Sequence, residues 1–339
     1  MGRGNKKVIG IVVLLVLLAV VAFAVVAGRQ AAIAPPAEQV LTVAVTGDPF
    51  EARWQFFGGI GPLGSGGIFE TLVYLTPDMQ PAPGLATSWE TIDDRTWRFH
   101  LRRNVRFHSG RAFDAQAVKE SIDAFAANLR PAFLQIESAT VVDDYTIDIR
   151  NTMPFPAFPE QMSHPQGIIV NLGHKDAAGA VLPDGTGPFK YESHVVGQEL
   201  VIVRNDDYWG REARLERVTL RIIPDHMTRI MALRAGEIDI AQRIPMPDVE
   251  GLEQDPTMIV YRVVTPMIRH MAFTLFREPV NDVRVRRAIA HAIDPQAIVD
   301  GILLGIAGEV AHSLIIPQMP WSIHDEVECR CYTIMTVVN

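Results

Sequence analysis

The sequence predicts an α/β protein, and three observations carry that expectation. Trp97, Phe99 and Leu101 alternate with Arg98, His100 and Arg102, the period of a strand with one wet face. Val118, Ile122 and Phe125 recur at helical spacing behind Asp114, a residue suited to cap a helix start. A strand-rich block from Gly187 to Ile223 then gives way to a second helix, Met227 to Ala235. Asp225 opens that helix and Gly236 closes it in the left-handed position that glycine favours.

The elements follow in chain order. Val40 to Val45 is short and β-rich and reads as the first strand. A loop from Gly47 to Gly67, rich in glycine and aromatics, comes next, and Ile68 to Tyr74 is expected to be a helix packed on that strand. Asp143-Asp144 is expected to form a two-residue turn between the paired strands Thr140–Val142 and Tyr145–Ile149. Pro154, Pro156 and Pro159 lead into a helix or loop containing Met162 and His164. Ile238 to Ile240 reads as a short strand, and Ile259 to Leu275 as two further strands with a crossing segment. Val283 to His291 and Pro295 to Leu304 are amphipathic helices. Beyond Pro320, strand propensity persists without amphipathic logic or turn signals.

The chain has 339 residues, 48% hydrophobic, with net charge −8, material for one large domain or two ordinary ones. Its Lys and Arg do not cluster outside the extreme N-terminus, which argues against nucleic acid as the main partner. Cys329 and Cys331 have no second pair to complete a zinc site.

Arg3, Lys6 and Lys7 precede an uncharged apolar run from Val8 to Ala27. That run approaches the roughly 20 residues that span a bilayer as a helix, and the cations before it orient the rest of the chain outward. Residues 1–28 are therefore expected to be a transmembrane anchor or signal segment, an uncleaved anchor being preferred because Pro35 follows the small-x-small site Ala32-Ile33-Ala34. No cysteine stands just after the run to carry a lipid. Residues 29–39, rich in alanine and proline, read as a linker.

Catalytic constellations are missing. The loop Gly58–Gly67 lacks the lysine of a phosphate-cradling loop, and Gly64-Ser65-Gly66 lacks nucleophile-elbow spacing. The ten histidines include no i,i+4 pair, and His164, His174, His270 and His291 stand alone, so structural or surface roles outweigh metal ligation. Asp93-Asp94 and Asp143-Asp144 sit in expected turns, where carboxylates accept backbone hydrogen bonds. Hence no catalytic residue, no metal ligand and no cofactor are expected.

Four blocks carry a resemblance. The first runs Gly84-Leu85-Ala86-Thr87-Ser88-Trp89, then Asp94 to Arg102, then Val105-Arg106-Phe107-His108-Ser109-Gly110-Arg111-Ala112-Phe113-Asp114-Ala115, with Val118 and Ser121. The others are Gly185 to Phe189, Arg204 to Gly210, and Asp282 to Ile289 with Ala292-Ile293-Asp294. Over about residues 40–320 the chain resembles the family-5 extracellular solute-binding proteins of ABC importers, which serve dipeptides, oligopeptides, nickel and metallophores. Trp89, Trp97, Phe99 and Phe107 look like core anchors rather than binding residues; Gly110 and Tyr208-Trp209-Gly210 look like tight turns.

The resemblance implies a two-lobed, periplasmic-binding-protein-like α/β fold with mixed sheets, ligand being held between the lobes. Lobe I would comprise 40–76 and 188–276, with a β-rich subdomain inserted at 77–187. Lobe II would begin within 277–339 and be incomplete, the pattern lapsing after about Trp321 as in a fragment or frameshifted chain. Arg130 and Phe133 match a cleft arginine and aromatic of the nickel and metallophore branch; an exposed arginine at a helix end is the competing reading. Trp54 and Phe57, with Phe56 beside them, either stack on a ligand or pack in the core. The function implied is extracytoplasmic capture of an oligopeptide, nickel or a metal–chelator complex for an ABC permease, without chemistry. Its rivals are an anchored, exported hydrolase and an anchored sensor receptor.

Overall fold

The computed structural model describes residues 39–49, 67–128, 135–164, 167–177, 179, 181–262, 268–302, 309–311 and 336–338. The chain divides into two units, Met1–Val40 and Leu41–Asn339, and the described elements lie in the second apart from Val40, the first residue of β1. The apolar run Val8–Ala27 and linker residues 29–38 lie outside the described residues; among those described, no helix is long and apolar enough to cross a membrane.

Strand β1 (Val40–Val45) is followed by β2 (Glu70–Thr71), β3 (Val73–Leu75), β4 (Pro81–Pro83), β5 (Ala86–Thr91) and β6 (Thr96–Leu101). Helix α1 (Ala115–Asn128) precedes β7 (Ile136–Asp143) and β8 (Thr146–Asn151). Then come α2 (Phe158–Gln161), β9 (Ile168–Ile169), β10 (Phe189–Val195), β11 (Glu199–Arg204) and β12 (Arg217–Ile222). The remainder is α3 (His226–Arg234), β13 (Ile240–Ala241), α4 (Met246–Glu253), β14 (Ile268–His270), α5 (Val283–Ala292), α6 (Pro295–Ile302), β15 (Glu309–Ala311) and β16 (Thr336–Val338).

Two sheets dominate. The first is four-stranded and antiparallel, in the order β5-β6-β8-β7. Its inner face buries Phe99, Leu101, Ile147 and Ile149 against α1, which contributes Val118 and Ile122. The alternation along 97–102 is thus realised, and Asp114 caps α1, its Oδ1 accepting the Ala117 amide at 2.8 Å. Phe107, Phe113 and Phe158 join this core with almost no exposure, each worth about 1.5–3 kcal/mol of apolar burial. Trp89 and Trp97 are only half-buried at its edge, Trp97 donating its indole N–H to the Phe155 carbonyl at 3.2 Å.

The second sheet is mixed and five-stranded, ordered β10-β11-β12-β1-β13. Strands β10, β11 and β12 form an antiparallel meander, whereas β1 pairs in parallel with β13, Val43 opposite Ile240. Val43, Val45, Leu200, Ile202, Val218 and Leu220 make a second core, which Ile68, Phe69, Ile168 and Val170 complete. Helix α3 is capped by Asp225, which accepts from the Thr228 amide, and stops at Gly236 with φ of 71°, as its flanking residues predict. Its Ala232 packs on Ala44 and Ile238.

Three expectations need correction. Ile68 to Tyr74 is not helical: β2 pairs with β9 and β3 with β4. Ile68, Phe69, Thr71, Leu72 and Val73 are all buried, so the segment is wedged between two cores, and an apolar run buried on both sides has no period to betray a strand. The hairpin turn is shifted by one residue: Asp143 already pairs with Thr146, leaving Asp144 and Tyr145 at the tip. Asp143 still serves the turn, its Oδ1 accepting from the Tyr145 amide at 2.8 Å. Finally, Ile259–Arg262 form no strand, and of the expected pair only β14 is described, lying against β16 in a three-stranded sheet ordered β14-β16-β15.

Candidate functional site

None of the four candidate ligand contacts, Trp54, Phe57, Arg130 and Phe133, falls among the described residues. Trp54 and Phe57 belong to the segment between β1 and Gly67, Arg130 and Phe133 to the connection between α1 and β7. The geometry at the roots of the first segment is defined. Asp48, just beyond β1, takes the His194 Nε2 at 2.9 Å from both carboxylate oxygens and the Gly197 amide at 2.8 Å. At the far root, the Gly67 carbonyl accepts the Phe189 amide at 3.1 Å.

Between the two sheets lies a polar seam centred on Glu70. Its Oε1 accepts the Tyr208 hydroxyl and its Oε2 accepts both the Trp209 indole N–H and the Thr186 hydroxyl, each at 2.8 Å. The Arg102 guanidinium carbon sits 4.3 Å from the Trp209 ring centroid, a cation–π contact that also brings positive charge near the carboxylate. Burial pushes the Glu70 carboxyl above its ordinary value, outweighing the hydrogen bonds from Trp209, Tyr208 and Thr186 and the attraction of Arg102. Burial, first, and the neighbouring Glu70 charge push the Tyr208 phenol up as well.

The strap Asp184–Gly187 threads the same seam. Asp184 and Thr186 are fully buried. Asp184 accepts the Ser109 amide at 3.0 Å and the Asn171 Nδ2 at 2.7 Å. The Gly185 carbonyl accepts the His108 amide at 2.9 Å, and the Gly187 carbonyl accepts His108 Nε2 at 3.0 Å and Asn205 Nδ2 at 3.1 Å. A Cβ at Gly185 would stand 2.1 Å from the Ile68 carbonyl oxygen, and one at Gly187 2.2 Å from that of Gly67. Only glycine permits this approach. His108 and Ser109 come from the four-stranded side, Asn205, Tyr208 and Trp209 from the five-stranded side, so the strap stitches both together.

The chemistry available here is fixation. Glu70 already accepts three hydrogen bonds within the seam, from Thr186, Tyr208 and Trp209. Among the described residues, no group of three or more His, Cys, Asp or Glu side chains is placed to hold a metal ion. The central role of Glu70 escaped the sequence reading, although a signal existed: it is the one charged residue in the run Ile68–Val73, and a carboxylate amid buried neighbours must find donors.

The family model for bacterial extracellular solute-binding proteins, family 5 (middle region), matches residues 80–328, running past Trp321. The nickel-binding periplasmic protein of Escherichia coli K12 is 29% identical over 273 residues, covering 75% of this chain and 51% of that protein. A probable D,D-dipeptide-binding periplasmic protein of the same organism is 29% identical over 269 residues, covering 73% and 51%. The chain thus spans about half the length of the curated relatives it matches. Among solved structures, a nickel ABC transporter protein from Bacillus halodurans superposes with a TM-score of 0.66 at 32% identity, covering 84% of this chain and 60% of that one. NikA from Brucella suis, solved with Fe(III)-EDTA, gives 0.68 at 28% identity with the same coverages.

Proposed function

The chain belongs to the bacterial extracellular solute-binding proteins of family 5, and on that premise we propose that it captures a small solute outside the cytoplasmic membrane and hands it to an ABC permease. The observation that carries this reading is the likeness of its two-sheet body to proteins whose names specify nickel, iron chelates and dipeptides. The ligand is a short peptide or a metal held by an organic chelator, the metal being cargo. The chain does no covalent chemistry. Residues 40–76 and 188–276 form one lobe around the insert 77–187, and 277–339 open the other. Arg130 offers a guanidinium fork to ligand carboxylates, Phe133 an aromatic neighbour, and Trp54 and Phe57 stacking faces. The run Val8–Ala27 anchors the protein to the membrane, leaving the remainder on the extracytoplasmic side.

Isothermal titration of the full chain with the nickel–histidine complex and with a dipeptide tests the ligand class. A saturable one-to-one heat with either supports the proposal; heat with neither, from folded protein, counts against both classes. Sizing the mature protein in its native membrane tests the anchor, since a chain shortened by the N-terminal segment would refute it.

A further inference from the structure

Among the described side chains that bond the strap, His108 is the one whose ordinary titration range lies near neutral pH. A carbonyl oxygen only accepts, so its contact with Gly187 at 3.0 Å fixes the proton on Nε2. The other ring nitrogen, Nδ1, is buried and has no hydrogen-bond partner among the described residues. In the neutral ring that nitrogen is a bare acceptor, the smaller of the two penalties. In the imidazolium it becomes a donor with nothing to receive it, the costly case.

We propose that His108 makes the Asp184–Gly187 strap an acid-sensitive joint: the neutral ring locks the strap to the four-stranded side, and protonation at Nδ1 releases it. The charged and titratable groups facing the ring are Asp184 at the start of the strap, His174 from the loop before it and Lys190 on β10. Asp184 favours the imidazolium, but its oxygens are engaged by Ser109 and Asn171, with His174 Nδ1 a further 3.7 Å contact. Lys190 and His174 oppose protonation. Desolvation is the largest influence and holds the ring below the ordinary histidine value. The sign follows: a depressed folded value gives stability that is complete above the unfolded value of about 6.5 and is lost as pH falls through the folded one. Release is local, because the bonds crossing the joint run from His108 and Ser109 to Asp184, Gly185 and Gly187, whereas β6 and β8 pair with each other through their own backbones.

The test is hydrogen exchange on the full chain, held in detergent, with rates corrected for intrinsic pH dependence. Protection at the His108 and Ser109 amides, which donate to the Gly185 carbonyl and the Asp184 carboxylate across the joint, should fall roughly tenfold between about pH 7.5 and 5.5, while that of residues 96–101 stays constant. In His108→Gln, whose amide N–H reaches the same carbonyl and does not titrate, the fall should vanish. An equal fall in that variant overturns the proposal. So does a nitrogen-15 titration of the wild-type ring that finds an ordinary histidine value or the Nδ1–H tautomer, a measurement that stands even if the variant fails to fold.

Discussion

Replacing Glu70 separates the two ingredients of the seam, shape and charge. Glu70→Ala strips the Thr186, Tyr208 and Trp209 donors of their common acceptor. At about 1 kcal/mol or slightly more per partly buried donor, the gross loss is about 3–4 kcal/mol. Removing a carboxylate that burial disfavours returns about 1–2 kcal/mol, leaving a net destabilisation of about 2 kcal/mol. Glu70→Gln should behave otherwise. Its carbonyl can keep the Thr186 and Trp209 donors, and its amide can donate to the Tyr208 oxygen in place of receiving from it, so the expected change is within about 1 kcal/mol. The wild type should also carry a pH dependence that the glutamine variant lacks. A folded pKa raised by burial means stability present below the unfolded value of about 4.5 and lost as pH rises through the folded one. Urea unfolding at neutral and mildly acidic pH, followed by tryptophan fluorescence, measures all three quantities. Equal destabilisation by alanine and glutamine would refute the shared-acceptor account, and so would an alanine variant as stable as wild type.

Gly187→Ala places a Cβ 2.2 Å from the Gly67 carbonyl oxygen and should cost about 3 kcal/mol or prevent folding. By contrast Gly110→Ala, in open space at φ of 91°, should cost only about 1 kcal/mol of backbone strain; chemical denaturation of both variants checks the ordering. Phe99→Ala removes a fully buried ring that sits 6.1 Å from Phe158 and 6.5 Å from Trp89, and should lower unfolding free energy by about 3–5 kcal/mol. Arg130→Ala should weaken binding of a carboxylate-bearing ligand about ten- to a hundredfold in titration calorimetry, the loss of one charged hydrogen-bonding group; unchanged affinity would remove Arg130 from the site.

What the sequence disclosed, and what it hid, follows from how each element meets solvent. Strand β6 was legible because one face is wet, so its pattern alternates. Helices α1 and α3 were legible because Asp114 and Asp225 cap them with their own side chains. Strands β2 and β3 were not, since Ile68, Phe69, Leu72 and Val73 around them are all buried and show no wet face whose period would tell strand from helix. The turn at Asp144 slipped by one residue because either aspartate can bond a backbone amide two positions on. Glu70 was hidden for another reason: its donors, Thr186 and Tyr208, lie 116 and 138 residues away, and no local spacing encodes such a meeting. The candidate ligand contacts came from a family resemblance alone, and the described geometry neither gathers nor separates them.

The pairing of β1 with β13 bears on how the chain acquires its structure. The Thr42 amide bonds the Asp239 carboxylate across 197 positions, so the first strand of the five-stranded sheet has no neighbour on that side until residue 240 exists. A polypeptide emerging from its N-terminus must carry this strand unpaired through most of its synthesis, and closing so long a loop slows the final assembly. Were the chain exported unfolded, as the proposed extracytoplasmic location would require, such lateness would keep this strand from locking prematurely.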